Sequence, residues 1–464
     1  MLKNLKTLIT KLNNNSTYYS FLFIVIVFNS FISYENITFD LYFNHLYADY
    51  AQFFKTLDFK SFKYPNSTFP LWGYGIFHLF GENILFNLIF QQTFTFINLI
   101  ILDKFIRKYK LLSNLYLFRL VILLSSTWFL FHTQMWPKSI ASNILLLGTI
   151  FLMDYLKCKK INLLIYSAIC FGLLHNFRSD YIYLSVLISA MIFLWEEKTL
   201  FKKLRASYFL LIQLIFLIPW MIFTFNQVGK PLLTSTNSGH VFFIGLGQLP
   251  GNIWKITPND MDSLKTDLLI DKFGEKYKYL DYEAWNGIEE NEFLKQTFFN
   301  LIKENPREWL KKCLFASRLL ILDPFYVGNV GNFQKNKISN IKEIRKMEAL
   351  FYSFKFKEVS RIINNTKWIM SFKELFQISF TVYTKIFGIL VFLYFLIVSF
   401  LSTLMLINRK SFYSKIETLL MIMIFYQISI SIFAFHMPVY NSSIYIIYPF
   451  VSYLLFQKYL SIKQ

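Results

Sequence analysis

The stretch IFGILVFLYFLIVSFLSTLMLI, residues 386–407, decides the fold class of this chain. It contains no charged side chain and consists mainly of Phe, Leu, Ile and Val. A bilayer core about 30 Å thick is crossed by about 20 such residues in a helix, because only a helix satisfies its backbone polar groups within one segment. The stretch therefore predicts a transmembrane helix.

The composition of the whole chain agrees with this prediction. The 464 residues are 55% hydrophobic and 20% aromatic, only 16% are charged, and the mean hydropathy is +0.40. A soluble domain of this length carries more charge and fewer aromatic residues. Lipid, rather than a single water-excluding core, is therefore expected to surround the apolar runs.

Apolar runs of transmembrane length recur along the sequence. We place transmembrane helices near residues 17–36, 83–103, 114–131, 139–156, 161–176, 180–196, 207–225, 377–406, 414–435 and 442–459. The first run lacks a small-residue cleavage site, so it is expected to remain as a span rather than to be removed as a signal peptide. The predicted fold is an all-α polytopic membrane protein with about ten or more transmembrane helices.

Basic residues in the short loops orient these helices. The net charge of +20 is spread over short loops rather than gathered on one face, so it does not indicate a nucleic-acid partner. With ten crossings, the basic loops at 104–110, 157–160, 198–205 and 409–415 fall on the side of both termini, which the positive-inside rule makes cytoplasmic. The outer regions are then 37–82, 132–138, 177–179, 226–376 and 436–441.

Three parts of the chain follow from this topology. Residues 1–225 form an N-terminal transmembrane module that includes the first outer loop, 37–82. Residues 226–376 are too long for a bare connector, so we expect an extracytoplasmic domain of mixed, partly helical structure. Within it, the Asn305-Pro306 break predicts a helix over 307–322 that lies on or dips into the membrane. Residues 377–464 form the C-terminal transmembrane helices.

The first outer loop contains an amphipathic segment. Between residues 41 and 57, apolar and polar residues form two separate stripes at helical spacing, which predicts an interfacial helix on the outer membrane surface. The three Cys residues are scattered, and no spacing resembles a disulfide framework or a metal site.

Ionisable residues near the outer ends of the helices are the candidates for chemistry, because such groups are costly in a membrane. They come from separate spans but share one membrane face, where a site under the outer leaflet would assemble. They are Asp40, Asp49, His132, Lys138, His175, Arg178, Asp180 and His436.

The order of several motifs resembles a known family. They are Tyr64-Pro65, Phe69-Pro70-Leu71-Trp72-Gly73-Tyr74 and Leu79-Phe80-Gly81 after the first span, Gly172 to Asp180 at the third outer turn, Pro219-Trp220, the loop from Gly229 to Gly251, and Ile302 to Pro306. Together they resemble the type C glycosyltransferases that use polyprenyl-phosphate sugars, in particular the branch of protein mannosyltransferases and aminoarabinose transferases. The likeness covers nearly the whole chain.

The resemblance implies inverting transfer of a sugar from a polyprenyl-phosphate donor to an acceptor on a cell-envelope glycan, lipid or protein. Asp40 or Asp49 would be the catalytic base, while Arg178 and Lys138 would bind the donor phosphate. Further candidate substrate-binding residues are Tyr64, His132, His175, Asp180, Asn237 and His240. The enzyme would lie in a bacterial inner membrane with its active site on the periplasmic side.

The sequence departs from the family at three places. The first loop lacks the usual acidic pair, Pro137-Lys138 replaces a Thr-Glu pair, and Asn441 to Tyr445 replaces a C-terminal Arg-Tyr. These departures concern the donor sugar and the acceptor more than the fold. Some relatives use a divalent metal, but this sequence shows no ligand cluster for one, so no cofactor is expected.

Structural roles compete with each functional assignment. Asp40 is equally suited to cap the following helix, and Asp49 lies on a solvated polar stripe. Arg178 and Asp180 are placed to pair with each other, and Lys138 to anchor a helix end at the membrane surface. The histidines fit hydrogen-bonded structural roles, and the glycines at 239, 245, 247 and 251 most simply mark turns.

Two other functions remain open at this point. An O-antigen-type polymerase or ligase has many spans and a large outer loop, but it would rely on arginines of that loop. A flippase or transporter of lipid-linked glycans would show paired halves and charged residues deep in several spans. Mutation of Asp40 and Asp49 separates the transferase from both.

Overall fold

The computed structural model describes residues 11–37, 84–133, 137–196, 200–259, 262–275, 287–325, 346–347, 356–365, 372–408 and 413–463. All regular structure in these ranges is helical, and they contain no strand. The predicted all-α class is therefore confirmed for the described residues.

The helices are numbered here in chain order. They are α1 (Asn15–Ile37), α2 (Ile84–Lys108), α3 (Leu115–Leu124), α4 (Ser126–Thr133), α5 (Pro137–Cys158), α6 (Ile161–Phe177), α7 (Tyr181–Trp195), α8 (Leu200–Val228), α9 (Ser238–Leu246), α10 (Ser263–Phe273), α11 (Ile288–Glu304), α12 (Pro306–Leu322), α13 (Phe356–Asn365), α14 (Phe372–Asn408), α15 (Lys415–Ser429), α16 (Pro438–Ser442) and α17 (Ile447–Lys463). A π-helical turn, Ile430–Ala434, continues α15.

The chain is an integral membrane protein with transmembrane helices. Among the described residues, six helices are long and apolar enough to cross a bilayer, and the bent pair α3–α4 adds a seventh. Helices α6 and α7 are also apolar but shorter, with 17 and 15 residues. The total of ten crossings stays a prediction.

The predicted third span is bent rather than straight. Helices α3 and α4 meet at 48° across Ser125. The Ser125 hydroxyl donates to the carbonyl oxygen of Val121 at 2.6 Å, and the Tyr383 hydroxyl donates to that of Leu124 at 2.9 Å. A break inside a membrane is tolerated because side chains take over the backbone groups that the helix releases.

Small residues let α5 and α6 approach closely. A Cβ added at Gly148 would lie 2.9 Å from the Cβ of Cys170, and the Ser167 hydroxyl donates to the Gly148 carbonyl at 2.9 Å. On the other face of α6, a Cβ at Gly172 would lie 2.6 Å from the ring of Phe216 in α8. Transmembrane helices associate through close packing at small residues, because the hydrophobic effect does not drive helices together within lipid.

The described part of the 226–376 region is helical and has an apolar core of its own. Helices α9, α10 and α11 surround a cluster separate from the core of the bundle. Its buried members are Phe243, Ile244, Leu246, Trp254, Ile256, Leu269, Leu294 and Phe298. Helix α12 follows Asn305 as predicted, while its location at the membrane surface stays a prediction.

The helix ends next to the basic short loops meet at one end of the bundle, which we call the ion-pair end. Four carboxylates define it: Asp103, Asp154, Glu196 and Glu417. Asp154 pairs with Lys108 at 2.9 Å, and Glu417 pairs with Lys458 at 2.9 Å. Glu196 accepts from Lys159 at 2.6 Å and lies 3.4 Å from Arg205.

The most deeply buried of these charges is Arg119, which is 0% exposed. Its guanidinium donates to both oxygens of Asp103 at 2.8 and 2.9 Å. It also donates to the carbonyl oxygens of Leu12 and Asn13 at 2.6 and 3.1 Å. Arg119 therefore joins the start of α3, the end of α2 and the segment before α1.

Candidate functional site

A cavity of about 300 Å³ lies at the opposite end of the bundle, which we call the cavity end. The start of α5, the turn between α6 and α7, and the loop between α8 and α9 form its polar side. Helix α9, the end of α15 and the π-helical turn form its apolar side. The cavity thus collects segments from widely separated parts of the chain.

Arg178 enters this cavity from the turn that ends α6. The backbone N–H of Arg178 still donates to the Leu174 carbonyl, so the residue directly continues the helix. Its side chain is 5% exposed and binds Asp180 through two nitrogens, with Nε 3.0 Å from Oδ1. The guanidinium also lies 4.8 Å from the centre of the Tyr181 ring. This contact adds a cation–π attraction to the ion pair.

Lys138 brings a second cation from a different helix. It occupies the first turn of α5, directly after Pro137, and lines the same cavity. Its ammonium group lies close enough to interact electrostatically with both Arg178 and Asp180. Two cations therefore border one carboxylate, and these are the charged residues among the described lining.

The loop before α9 adds hydroxyl and amide groups. Thr234, Ser235 and Asn237 of this loop line the cavity, together with Ser238, the first residue of α9. The Ser235 backbone N–H donates to the Ser179 hydroxyl at 3.3 Å, and the two hydroxyl oxygens lie 3.2 Å apart. The loop is thus held directly against the turn that carries Arg178.

Close backbone contacts position α9. A Cβ at Gly239 would lie 2.1 Å from the carbonyl oxygen of Asn291, and the Asn291 amide oxygen accepts from the Gly239 N–H at 2.8 Å. A Cβ at Gly245 would lie 2.1 Å from the carbonyl oxygen of Ala434. The interpretation of Gly239 and Gly245 as turn residues is therefore wrong, because both lie inside a helix where only hydrogen fits.

The other two glycines of the pattern differ from each other. Gly247 caps the end of α9, and a Cβ there would lie 2.6 Å from the carbonyl carbon of Thr257. Gly251 has φ +68° and nothing within 4 Å of an added Cβ. Only Gly251 has the left-handed backbone that makes glycine the usual choice at a turn.

The π-helical turn that forms the apolar wall is held from three sides. Lys312 of α12 donates to the carbonyl oxygens of Ile432 at 2.9 Å and Ala434 at 2.6 Å. Gln248 exchanges two hydrogen bonds with the backbone of His436, at 2.8 and 2.9 Å. On the other side, the Tyr426 hydroxyl donates to the Asp180 carbonyl oxygen. The apolar wall is therefore linked directly to the turn that carries Arg178 and Asp180.

Burial in this region lowers the pKa values of two basic groups outside the candidate spans. The pKa of Lys312 falls to about 8 because its ammonium group is buried. The pKa of His436 falls to about 4 for the same reason. Neither residue is part of the cavity lining: the Lys312 side chain supports the wall, and His436 holds Gln248 through its backbone.

Three histidines that were candidate site residues from the sequence lie away from the cavity. His132 is fully buried, with Nδ1 2.8 Å from the Trp128 carbonyl oxygen. His175 places Nε2 2.8 Å from the Gln213 amide oxygen. His240 places Nδ1 3.2 Å from the ammonium nitrogen of Lys265, on the side of α9 that faces α10. The contacts of all three match those of interior, hydrogen-bonded histidines.

Four of the sequence-based candidates therefore line one cavity: Lys138, Arg178, Asp180 and Asn237. Asp40, Asp49 and Tyr64 lie outside the described residues, so the position of the predicted base is not given by the structure. Among the described residues, no group of three or more His, Cys, Asp or Glu is placed to hold a metal.

Sequence reasoning missed two kinds of lining residue. Ser179, Thr234 and Ser235 belong to hydroxyl-rich outer turns, and the run Thr234 to Ser238 is a signal that would have found them. Tyr426 and Tyr183 give no such signal, because each is one of 29 tyrosines and lies in an apolar helix.

No family model, curated protein or solved structure matches this chain. The resemblance to type C glycosyltransferases therefore depends on the motif residues themselves. What the described residues add is a chemical environment: two cations, one carboxylate, several hydroxyl groups and an apolar wall around one small cavity.

Proposed function

We propose that this protein is a membrane glycosyltransferase that moves a sugar from a polyprenyl-phosphate carrier to an acceptor outside the cytoplasm. The observation that carries the proposal is the meeting of Lys138 and Arg178, from two different helices, at one cavity with an apolar wall. Cations next to apolar surface suit a ligand with an anionic head and a hydrocarbon tail.

The cationic side is suited to phosphate. An arginine side chain presents a planar set of donors that matches phosphate oxygens, and a lysine adds a point charge. Hydroxyl groups of Ser179 and Ser235 lie on the same side of the cavity and add neutral donors. A phosphate that leaves a sugar needs this kind of stabilisation, because negative charge develops on it in the transition state.

The apolar side is suited to a prenyl chain. Phe242, Ile430 and Ala434 line it, together with the rings of Tyr183 and Tyr426. Tyr183 is 61% exposed, and α7 presents further exposed apolar residues, Val186 and Leu187, to the surroundings. This exposed apolar face supports entry of the lipid from the bilayer beside α7, so the carrier would not have to leave the membrane.

The proposed reaction uses one carboxylate as base. The acceptor hydroxyl oxygen attacks the anomeric carbon, the bond from that carbon to the phosphate oxygen breaks, and the phosphate leaves with the electron pair. Asp40 or Asp49 of the first outer loop would take the hydroxyl proton. The products are the glycosylated acceptor and a polyprenyl monophosphate.

Topology supports an extracytoplasmic site in a bacterial inner membrane. The basic short loops adjoin the ion-pair end, so the positive-inside rule assigns that end to the cytoplasm. The cavity end would then face the periplasm. Both termini would be cytoplasmic, and the acceptor would be an envelope glycan, lipid or protein.

The first test concerns the two cations. Arg178→Gln and Lys138→Gln should each weaken binding of farnesyl phosphate to the detergent-solubilised full chain, by about tenfold or more, while binding of uncharged farnesol stays weak and unchanged. Lys159→Gln at the ion-pair end is the matched control and should bind like the wild type. Equal binding of farnesyl phosphate by all four proteins would contradict the proposal.

The second test concerns the base. Asp40→Asn and Asp49→Asn are assayed for sugar transfer in membrane vesicles and for farnesyl phosphate binding. The proposal expects one variant to lose about a hundredfold or more of transfer and to retain binding. Unchanged glycan products from both variants would instead favour a polymerase, ligase or transporter.

A further inference from the structure

We propose that Asp180 sets the charge of the cavity so that a singly charged phosphodiester donor is bound in preference to the doubly charged phosphomonoester that remains after transfer. The inference rests on the proposed function, and it assigns to Asp180 a role in specificity and product release. It follows from the position of this carboxylate relative to the two cations.

Asp180 is part of the cavity and not a surface counter-ion. Its side chain is 34% exposed and lines the cavity, while that of its partner Arg178 is 5% exposed. Both carboxylate oxygens accept from the guanidinium group. Any anion bound by Arg178 and Lys138 would therefore lie close to this negative charge.

The turn that carries Asp180 is held in place. The Tyr426 hydroxyl donates to the Asp180 carbonyl oxygen, and the neighbouring Ser179 hydroxyl accepts from the Ser235 N–H at 3.3 Å. Movement of the carboxylate out of the cavity would also break the two hydrogen bonds that it accepts from the buried Arg178. Asp180 is therefore expected to remain beside Arg178 when a ligand binds.

The net charge of the cavity lining can therefore be compared with the charge of each ligand. The charged residues of the described lining are Lys138, Arg178 and Asp180, two positive and one negative. A phosphodiester donor carries one negative charge, which this set neutralises. Transfer breaks the bond to the sugar and leaves a monoester, which carries nearly two negative charges at pH 8 because its second pKa is about 6.

The second negative charge of the monoester would lie close to the Asp180 carboxylate. In a partly buried site, a like charge a few ångströms away changes affinity by about tenfold or more. Asp180 thus opposes the product more than the donor. The effect of Asp180 is a difference in affinity between two ligands. It therefore does not depend on the total charge that other residues contribute.

A purely structural role for Asp180 predicts a different result. If Asp180 only held Arg178 in position, its loss would weaken both phosphate ligands to the same extent. The ratio of two affinities therefore separates the two roles, whereas activity alone does not.

The experiment measures binding of two probes to the full chain in detergent at pH 8. Farnesyl phosphate carries two charges, and its methyl ester carries one. In the wild type we expect the methyl ester to bind as tightly as farnesyl phosphate or more tightly. Asp180→Asn should shift the ratio of affinities toward farnesyl phosphate by about tenfold or more.

Two variants serve as controls. Asp180→Glu keeps the charge and should keep the wild-type ratio, and Asp154→Asn removes a carboxylate from the ion-pair end and should leave the ratio unchanged. An Asp180→Asn protein in which both probes weaken equally would overturn the inference. If that variant does not fold, a wild type that binds farnesyl phosphate tenfold more tightly than its methyl ester overturns it as well.

Failure of the proposed function gives a separate result. If the wild type binds neither phosphate probe more tightly than farnesol, the donor-binding role of the cavity is wrong and the inference falls with it. If it binds both probes but the ratio does not change in Asp180→Asn, only the role of Asp180 is wrong.

Discussion

The ion-pair end and the cavity end of the bundle hold their parts together by different interactions. At the ion-pair end, Asp103, Asp154, Glu196 and Glu417 each bind at least one cation from another helix or turn. At the cavity end, the segments are held together by close backbone contacts at Gly239 and Gly245. Hydrogen bonds from side chains to the backbone also connect them.

The difference shows where charge serves structure and where it is available for ligand binding. Arg119 is surrounded by Asp103, the side chain of Asn15 and two backbone carbonyls, so its donors are used within the fold. Arg178 is also buried, with 5% of its side chain exposed, yet it lines a cavity together with Lys138. A buried arginine is therefore not in itself a sign of function, whereas two cations from different helices at one cavity are a reason to expect an anion.

The largest expected effect is at the ion-pair end. Arg119→Met leaves the buried Asp103 with the partly exposed Arg107 and Tyr19 as its partners among the described residues, so the free energy of unfolding should fall by about 3–5 kcal/mol. SDS titration in mixed micelles measures this change. Arg107→Gln, which also contacts Asp103, is the control and should cost about 1 kcal/mol or less. Similar effects of the two variants would contradict the central role of Arg119.

At the cavity end, Gly245→Ala should both destabilise the protein and change the cavity. The new Cβ would lie 2.1 Å from the Ala434 carbonyl oxygen, and such overpacking costs about 1–3 kcal/mol. Because Ala434 lines the cavity, farnesyl phosphate binding should weaken in parallel.

Gly251→Ala is the matched control for this substitution. Its Cβ meets nothing within 4 Å, so it should cost only the backbone strain of φ +68°, about 1 kcal/mol, and leave ligand binding unchanged. Equal losses of binding in both variants would show that the contact between α9 and the π-helical turn does not shape the site.

Lys312→Met tests the wall from its other side. Loss of the ammonium group leaves the buried carbonyl oxygens of Ile432 and Ala434 without this donor, which should cost about 1–3 kcal/mol at pH 7. The matched control is Lys311→Met, because the mostly exposed side chain of Lys311 pairs with Glu308 of the same helix. It should change stability by about 1 kcal/mol or less.

The pH dependence of Lys312 sharpens this test. Burial lowers the pKa of Lys312 from 10.5 to about 8 in the folded protein, so the unfolded chain binds more protons between these values. The stability of the wild type relative to Lys312→Met should therefore rise as the pH increases from about 8 to 10.5. A relative stability that falls over this range would show that the carbonyl oxygens of Ile432 and Ala434 stabilise the ammonium form.

The smallest effect should come from the exposed edge of the ion-pair end. Lys108 is 56% exposed and pairs with Asp154, so Lys108→Gln should change the free energy of unfolding by less than about 1 kcal/mol. High salt should remove most of this difference, since exposed pairs are screened. An effect as large as that of Arg119→Met would mean that burial does not set the strength of these pairs.

Part of the candidate site follows from the predicted membrane topology. It placed Lys138, Arg178 and Asp180 on one face of the membrane, and the structure brings these three residues to one cavity. The predicted topology also selected His132 and His175, which lie in the interior away from the cavity. Position along a span predicts depth in the membrane, but not the face of the helix.

Helical faces are the information that this sequence carries least. In α6, apolar residues occupy all sides, so no stripe indicates that His175 faces Gln213 of α8. The same holds for Tyr426, whose contact with the turn of Asp180 spans 246 residues of sequence. The glycines of α9 were assigned to turns because nothing in the sequence indicates that Asn291 and Ala434 approach them.

What the sequence by itself determined is the membrane class and the location of the apolar helices along the chain. That prediction succeeds because the requirement of the bilayer is local: each crossing needs its own run of about 20 apolar residues. The tertiary structure alone decided which polar residues meet, how α3 and α4 bend, and which cations share a cavity. Those contacts join residues far apart in the chain, and a helix that is apolar on every side does not specify its partners.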